Sequence, residues 1–332
     1  MDRVIRHRRR WLAALVIAVA GALLSAVPAT ATPSAVDVWM QDNPSDNASE
    51  PSLPWSPPDV WRSPDIWVCQ NPSPMCLADE NPIAGQPAYL YVRLNRLQGA
   101  TGNVFGTLRT YWTDQGGAAY WDGTATDDWN DISALFTIVP PGGTIVGPIP
   151  WNVPTSPTHF CLLARWDSGS DPMTFAEGPT TWQNAWQNNN IAWHNVDTVR
   201  LRHFGITREP FLVRNPEPRP IRTDLVIAPV GRPFAVDGKV IVNLGPVLAA
   251  RWRESGQKGV GVVPVGDTQV QVVNPVNARI QGLLVNPREK LQTFVELTAG
   301  EKQAGGQFGL QLSQTDSQGR DSGGVEYRIS VD

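Results

Sequence analysis

Apolar and polar residues alternate with a period of two along much of this chain. In YLYVRLN (89–95), Leu90, Val92 and Leu94 fall on one side, and Tyr89, Tyr91 and Arg93 on the other. TLRTYWTD (107–114), GTIVGPIPW (143–151), HFCLLARW (159–166) and NIAWHNVDTV (190–199) are further strand candidates. The alternation is cleanest near the C-terminus. There Val240, Val242 and Leu244 share a face, as do Phe308, Leu310 and Leu312, and Val325, Tyr327, Ile329 and Val331. Glu326, Arg328 and Ser330 stand opposite the last set. One face in a core and one in water is the pattern of an antiparallel sandwich strand. VLAARWRE (247–254) is read as a strand of the same kind. No window longer than about 12 residues holds a helical apolar period free of Pro or Gly.

Turn signals recur about every 8–12 residues, the spacing of immunoglobulin-like sheets. The expected fold is all-β: two tandem immunoglobulin-like antiparallel β-sandwich domains, with an up-and-down barrel as the alternative. The first covers residues 32–202, including an extended lead-in, and the second covers 203–332. The Pro- and Arg-rich stretch 203–221 reads as the connection, although PFLV within it has the makings of a first strand.

Residues 1–31 stand apart. Arg6, Arg8, Arg9 and Arg10 precede an uncharged apolar run from Trp11 to Val27, and Ala29-Thr30-Ala31 follows as a small-x-small cleavage site. This is the form of a secretory signal peptide, and it implies a secreted mature protein. Five Arg and one Asp leave with it, which takes the formal net charge from −4 to −8. An acidic mature chain has no basic surface for nucleic acid or an anionic membrane. The 29 Gly and 30 Pro suit short strands and tight turns rather than long helices.

Outside the cell a disulfide is stable. Cys69 and Cys76 flank QNPSPM, a turn-forming stretch that brings them together; pairings with Cys161 stay open. Cys161 lies in a buried strand candidate and reads as a small core residue.

SPDIWV, AGQPAYLYVRLNR, GTLRTYW, THFCLLARW and NNNIAWHNV together resemble bacterial extracellular immunoglobulin-like domains related to the CARDB type. The resemblance covers about residues 60–199. It implies a β-sandwich that serves as an accessory or adhesive module. The sequence departs from that pattern at Cys69, where a polar or basic residue is usual. A local disulfide with Cys76 makes sense of the change.

Three kinds of chemistry are worth weighing. RDSGG (320–324) is similar to the segment around the nucleophile of trypsin-like serine proteases, with His159 and Ser322 as conceivable partners. Arg320 breaks the motif, the two residues fall in different halves, and DSGG reads as a hairpin turn. Calcium fits the turn-rich WDGTATDDWND better: Asp122, Asp127, Asp128 and Asp131 lie close together there, and hard cations want converging carboxylates. Asp42, Asp46 and Glu50 form a lesser set of the same type.

Twelve of the 14 Trp lie between Trp39 and Trp193. Trp121 and Trp129 flank the aspartates, and Trp182 and Trp186 lie in an Asn/Gln-rich stretch. Exposed rings beside carboxylates and amides suit a sugar. The competing reading is that they pin loops onto a sandwich, with Trp182 and Trp186 as one helical turn facing a core. The Asp–(Val/Ile)–Trp triplets at 37–39, 59–61 and 65–67 read as framework, the first in a lead-in strand at an edge. The expected function is non-enzymatic extracellular binding, adhesion or scaffolding toward a protein or polysaccharide. A carbohydrate-binding accessory protein is the alternative, and a secreted hydrolase the lesser one. No cofactor is implied beyond the calcium candidates.

Overall fold

The computed structural model describes residues 36–52, 59–74, 76–114, 116–121, 128–155, 159–276 and 278–332. Residues 1–31, where a signal peptide is expected, and Trp55, Asp122 and Asp127 lie outside them. The protein is all-β, with immunoglobulin-like antiparallel sheets stacked in two pairs.

In the first pair, β3 (Pro87–Arg96) hydrogen-bonds β1 (Val38–Trp39), β2 (Ile66–Cys69) and β6 (Thr144–Asn152). The facing sheet runs in the order β5 (Asn130–Val139), β4 (Val104–Thr113), β7 (Cys161–Asp167), β8 (Ile191–His194). Leu90, Val92, Leu94, Leu108, Trp151 and Trp166 form the core between them. The second pair begins with β9 (Val196–Leu201), β10 (Ile206–Arg214), β11 (Ile221–Val230) and β12 (Lys239–Asn243). It continues through β13 (Gly259–Val260), β14 (Val262–Pro264), β15 (Gln269–Val272) and β16 (Ala278–Val285). It closes with β17 (Lys290–Thr298), β18 (Gln307–Thr315) and β19 (Asp321–Val331). One sheet is β10-β17-β12-β15-β14 and the other β13-β16-β11-β18-β19-β9. Phe211, Phe234, Trp252, Leu312 and Tyr327 are buried between them.

Three local expectations change. The stretch 190–199 is two strands rather than one: β8 closes the N-terminal sheet, and β9 lies parallel to β19 in the C-terminal one. Asn195 makes the crossing. Its N–H donates to the Trp61 carbonyl at 2.8 Å, and its carbonyl accepts from Glu326 N–H at 3.1 Å. The expected connection at 203–221 contains β10, which pairs along its length with β17. VLAARWRE is not a strand but the body of helix α2 (Gly245–Glu254). Pro246 sits in its first turn, and Leu248, Ala249 and Trp252 are buried along one side. A run of good helix formers after a Pro outweighed the short apolar count.

DSGG is likewise not a hairpin turn; it lies inside β19. A Cβ on Gly324 would sit 2.5 Å from the Trp61 ring, and one on Gly323 would sit 2.4 Å from the Gly117 carbonyl. The glycines are there for close packing. The Ser322 hydroxyl is buried and donates to the Gln314 carbonyl at 2.9 Å, so it is no exposed nucleophile.

Cys69 and Cys76 are disulfide-bonded, with their Cα atoms 6.4 Å apart. The loop they close is held from below. Trp67 stacks on Tyr91 at 5.6 Å, and the Tyr91 hydroxyl bonds both N–H and carbonyl of Ser73 at 3.0 Å. Trp67 is thus framework, in β2. Closing a loop this short removes about 2.5 kcal/mol of unfolded-chain entropy. Changing both cysteines to serine is expected to lower stability in urea melts by roughly that amount, with secondary structure intact.

Candidate functional site

The β4-β7-β8 sheet is buried on both faces. Along β7, Leu162, Ala164 and Trp166 enter the core shared with β3, whereas Cys161 and Leu163 point into a second apolar layer. That layer contains Trp61, Tyr111, Trp121, Trp129, Trp182 and Trp193. Loops and the helix α1 (Thr181–Gln187) cover it. The tryptophan-rich signal of the sequence is therefore mostly core. Trp121, Trp129 and Trp182 are 3%, 1% and 3% exposed, which leaves no free ring face for a sugar. Trp129 meets Trp193 edge-on at 6.0 Å and donates from Nε1 to Thr181 Oγ1 at 2.9 Å. Trp186 is half-buried, and its Nε1 donates to the Ser52 carbonyl at 3.0 Å. Trp182 does border a cleft between the two sheet pairs. The cleft has a volume of about 340 Å³, and Thr180, Gln183, Arg219, Asp316 and Arg320 also line it.

The described part of the calcium set does not converge on a site. Asp128 is 3% exposed, and its carboxylate is ion-paired with Arg214 Nε and with Lys290 Nζ at 2.6 Å. It also accepts from Tyr120 N–H at 2.7 Å. Asp131 is exposed at the start of β5. Among the described residues no group of three or more His, Cys, Asp or Glu is arranged to hold a metal.

Asp128–Arg214 is one of several polar ties across the junction. Arg62 Nη2 meets Glu326 Oε2 at 2.5 Å, Trp61 Nε1 donates to Asp321 Oδ1 at 3.3 Å, and Gly117 N–H donates to the Leu212 carbonyl at 2.9 Å. Another tie has the parts of a thiol catalyst, and sequence reasoning missed it by pairing His159 with Ser322. His159 Nδ1 lies 2.7 Å from Asp197 Oδ2, and its Nε2 lies 3.2 Å from Cys161 Sγ. The order thiol, imidazole, carboxylate is that of a nucleophilic triad. Burial decides against that use. Cys161, His159 and Asp197 are 0%, 3% and 8% exposed, so a substrate has no approach. Burial also pushes the Cys161 thiol up, against a smaller pull from His159, which keeps it protonated.

The buried ionisable groups bias the fold toward acid. Burial works against a charged His159 ring, but the Asp197 carboxylate holds it well above the usual range. Asp79 raises His194 as well, again against burial. Burial pushes Asp321 up to about 7 and Asp171 up to about 6. Each of these groups binds its proton more tightly folded than unfolded. Their stabilisation is therefore complete below the unfolded pKa and is lost as pH rises through the folded one. Thermal midpoints are expected to fall between pH 5.5 and pH 8. Asp321→Asn keeps an acceptor for Trp61 and Gly323 while removing the charge. It is expected to stabilise the protein at pH 8 by a few kcal/mol, on the order of 1.4 per pK unit, and to flatten the pH dependence.

One surface is unlike the rest. β5 is an edge strand of ten residues, paired on one side with β4. From Ile132 to Val139 it carries no charge. The register places Ile138 beside Phe105 and Phe136 beside Thr107. Phe105, Phe136 and Ile138 therefore share the face that holds the tryptophan layer further along the sheet, but here no described residue covers them. Phe136 is 71% exposed, Phe105 52% and Ile138 48%, and the two Phe rings stack at 6.4 Å. Leu135, mid-strand on the opposite face beside Leu108, is 37% exposed. The signal was present in LFTIV, a β-branched and aromatic run that was not among the strand candidates.

No family model matches the chain, and no curated protein matches it. Solved structures with some likeness include a tip adhesin from Pseudomonas aeruginosa, with 8% identity and a TM-score of 0.23, covering 81% of this chain and 98% of that one. A collagen adhesin from S. aureus gives 7% identity and a TM-score of 0.22, over 80% of this chain and 91% of that one. A family 123 glycoside hydrolase from Clostridium perfringens reaches 8% identity and a TM-score of 0.26, over 42% of this chain. The chain spans 23% of that hydrolase. Likenesses this loose decide neither ligand nor activity. Among the described residues no helix is long and apolar enough to cross a membrane.

Proposed function

We propose that the chain is a secreted, non-enzymatic binding and adhesion protein that takes an extended strand of an extracellular protein partner along β5. The carrying observation is the long edge strand, uncharged from Ile132 to Val139, with its Phe136 and Ile138 and the neighbouring Phe105 of β4 in water. Proteins usually blunt such an edge with charge, proline or a covering loop, because its open N–H and C=O groups template strand addition. Strand addition draws affinity from main-chain hydrogen bonds and selectivity from alternate side chains. Export rests on the signal-like residues 1–31, and the two sheet pairs act as the frame that holds β5 rigid.

β5 is also self-complementary, which supplies a probe. Antiparallel pairing centred on Leu135 sets Phe136 opposite Ala134 and Thr137 opposite Ser133, with no like charges facing. A soluble peptide carrying residues 130–139 between lysines is expected to bind residues 32–332. Phe136→Asp is expected to weaken that binding at least tenfold in fluorescence polarisation. Equal binding by the variant contradicts the reading.

The second reading, carbohydrate in the cleft of about 340 Å³, keeps one observation in its favour: Thr180, Gln183, Arg219, Asp316 and Arg320 set polar groups for hydroxyls along its wall. Retention of residues 32–332 on insoluble polysaccharide, lost in Gln183→Ala, is the result that favours it over the β5 reading.

A further inference from the structure

The segment 36–52 wraps against the end of α1 and β8 and brings an unusual number of acids out of water. Asp37, Asp42, Asp46 and Glu50 are each at most 8% exposed, and Asp65 beneath them is 0% exposed. Most have partners that account for them. Asp65 accepts from Gln41 N–H at 2.8 Å and pairs with Arg93 at 3.2 Å. Asp46 accepts from Asp42 N–H at 3.0 Å and from Ala48 N–H at 3.1 Å. Glu50 accepts from Asn189 N–H at 3.0 Å.

Asp42 is the exception. It is fully buried; its Oδ2 accepts from the Ser52 hydroxyl at 2.5 Å, and its Oδ1 has no hydrogen-bond partner among the described residues. Burial and the neighbouring Asp46 push its pKa well above the usual carboxylate range. Two more unpartnered buried oxygens belong to the same wrap, Ser49 Oγ and Asn189 Oδ1. The Asn189 amide cannot be turned round to cure this. Its Nδ2 already donates to Ala48 O at 3.2 Å and to Asp37 Oδ1 at 3.2 Å, and a flip would set oxygen against oxygen. Those bonds also place Asn189 against the loop that carries Asp42, Asp46 and Ser49. A buried acceptor without a donor is costly, and more so when it is charged. Three of the four unpartnered buried atoms of the wrap are oxygens, an anion among them, and the fourth is the Trp39 indole N–H; the cluster of oxygens asks for a hard cation.

We propose that the 42–50 loop binds one calcium ion, with Asp42 as its anionic ligand and Asn189, Ser49 and loop carbonyls supplying neutral oxygens. This site is separate from Asp128 and Asp131 and independent of the β5 surface. Only one carboxylate is a ligand, so the site is not a three-acid cluster, of which there is none among the described residues. Ligation ties the lead-in segment to Asn189, just before β8.

The test is isothermal titration of chelator-treated residues 32–332 with calcium chloride. The expected result is one site with a Kd in the range of roughly 10⁻⁴ to 10⁻³ M seen for extracellular modules. Asp42→Asn is expected to weaken it at least tenfold, and Asp131→Asn to leave it unchanged. Should Asp42→Asn fail to fold, terbium luminescence of the unaltered chain, excited through Trp186 and displaced by calcium, gives a second reading. No heat and no sensitised terbium emission at millimolar ion overturns the proposal, and so does undiminished binding by folded Asp42→Asn. In the first case the three oxygens are satisfied by trapped water.

Discussion

Trp129→Ala is expected to cost about 4 kcal/mol of folding free energy, in the range for a fully buried aromatic. The ring is 1% exposed and packs edge-on against Trp193. Its removal leaves a void on the tryptophan face of the β4-β7-β8 sheet. It also takes a donor from Thr181 Oγ1, itself buried. The change is expected to appear as a lower urea midpoint with an unchanged slope. A near-native midpoint combined with lost polysaccharide retention would show instead that Trp129 is a ligand residue.

Asp128→Ala is expected to cost 3–5 kcal/mol, because it strands a buried cation. Arg214 is 4% exposed and reaches Asp128 from β10, while Lys290 approaches from β17. The loss is therefore expected at the junction between the two sheet pairs. Pairing Asp128→Ala with Arg214→Met removes the stranded charge and is expected to recover part of the stability. A single-variant cost below 1 kcal/mol would place the pair in water rather than in the interior.

The outcome at Asp128 shows why the site was harder to read than the fold. Strands such as 89–95 and 325–331 declare themselves by alternation, since one face meets a core and the other meets solvent. The same rule fails where a sheet is buried twice. CLLA in β7 and IAWH in β8 read as continuous apolar runs, and nothing local says that their second face meets loops bearing Trp121 and Trp129 and the helix bearing Trp182. Tryptophan beside aspartate therefore looks the same in a sugar site and in a capped core. Composition cannot separate them; only the partner does, and for Asp128 the partners Arg214 and Lys290 are 86 and 162 positions away in sequence. The Cys161–His159–Asp197 chain was hidden for the same reason, because Asp197 belongs to a strand that crosses to the other pair of sheets. The Cys69–Cys76 bridge was legible because both partners flank one turn.

The claim that β5 is a docking strand is tested most directly by amide hydrogen exchange on residues 32–332, with and without the peptide copying residues 130–139. Unpaired edge amides exchange fast, and strand addition must protect alternate N–H groups of 132–138 on the side away from β4. The account predicts at least tenfold slower exchange there, with the rest of the sheet unchanged and the protection absent in Phe136→Asp. Exchange along β5 that does not change at saturating peptide would contradict it.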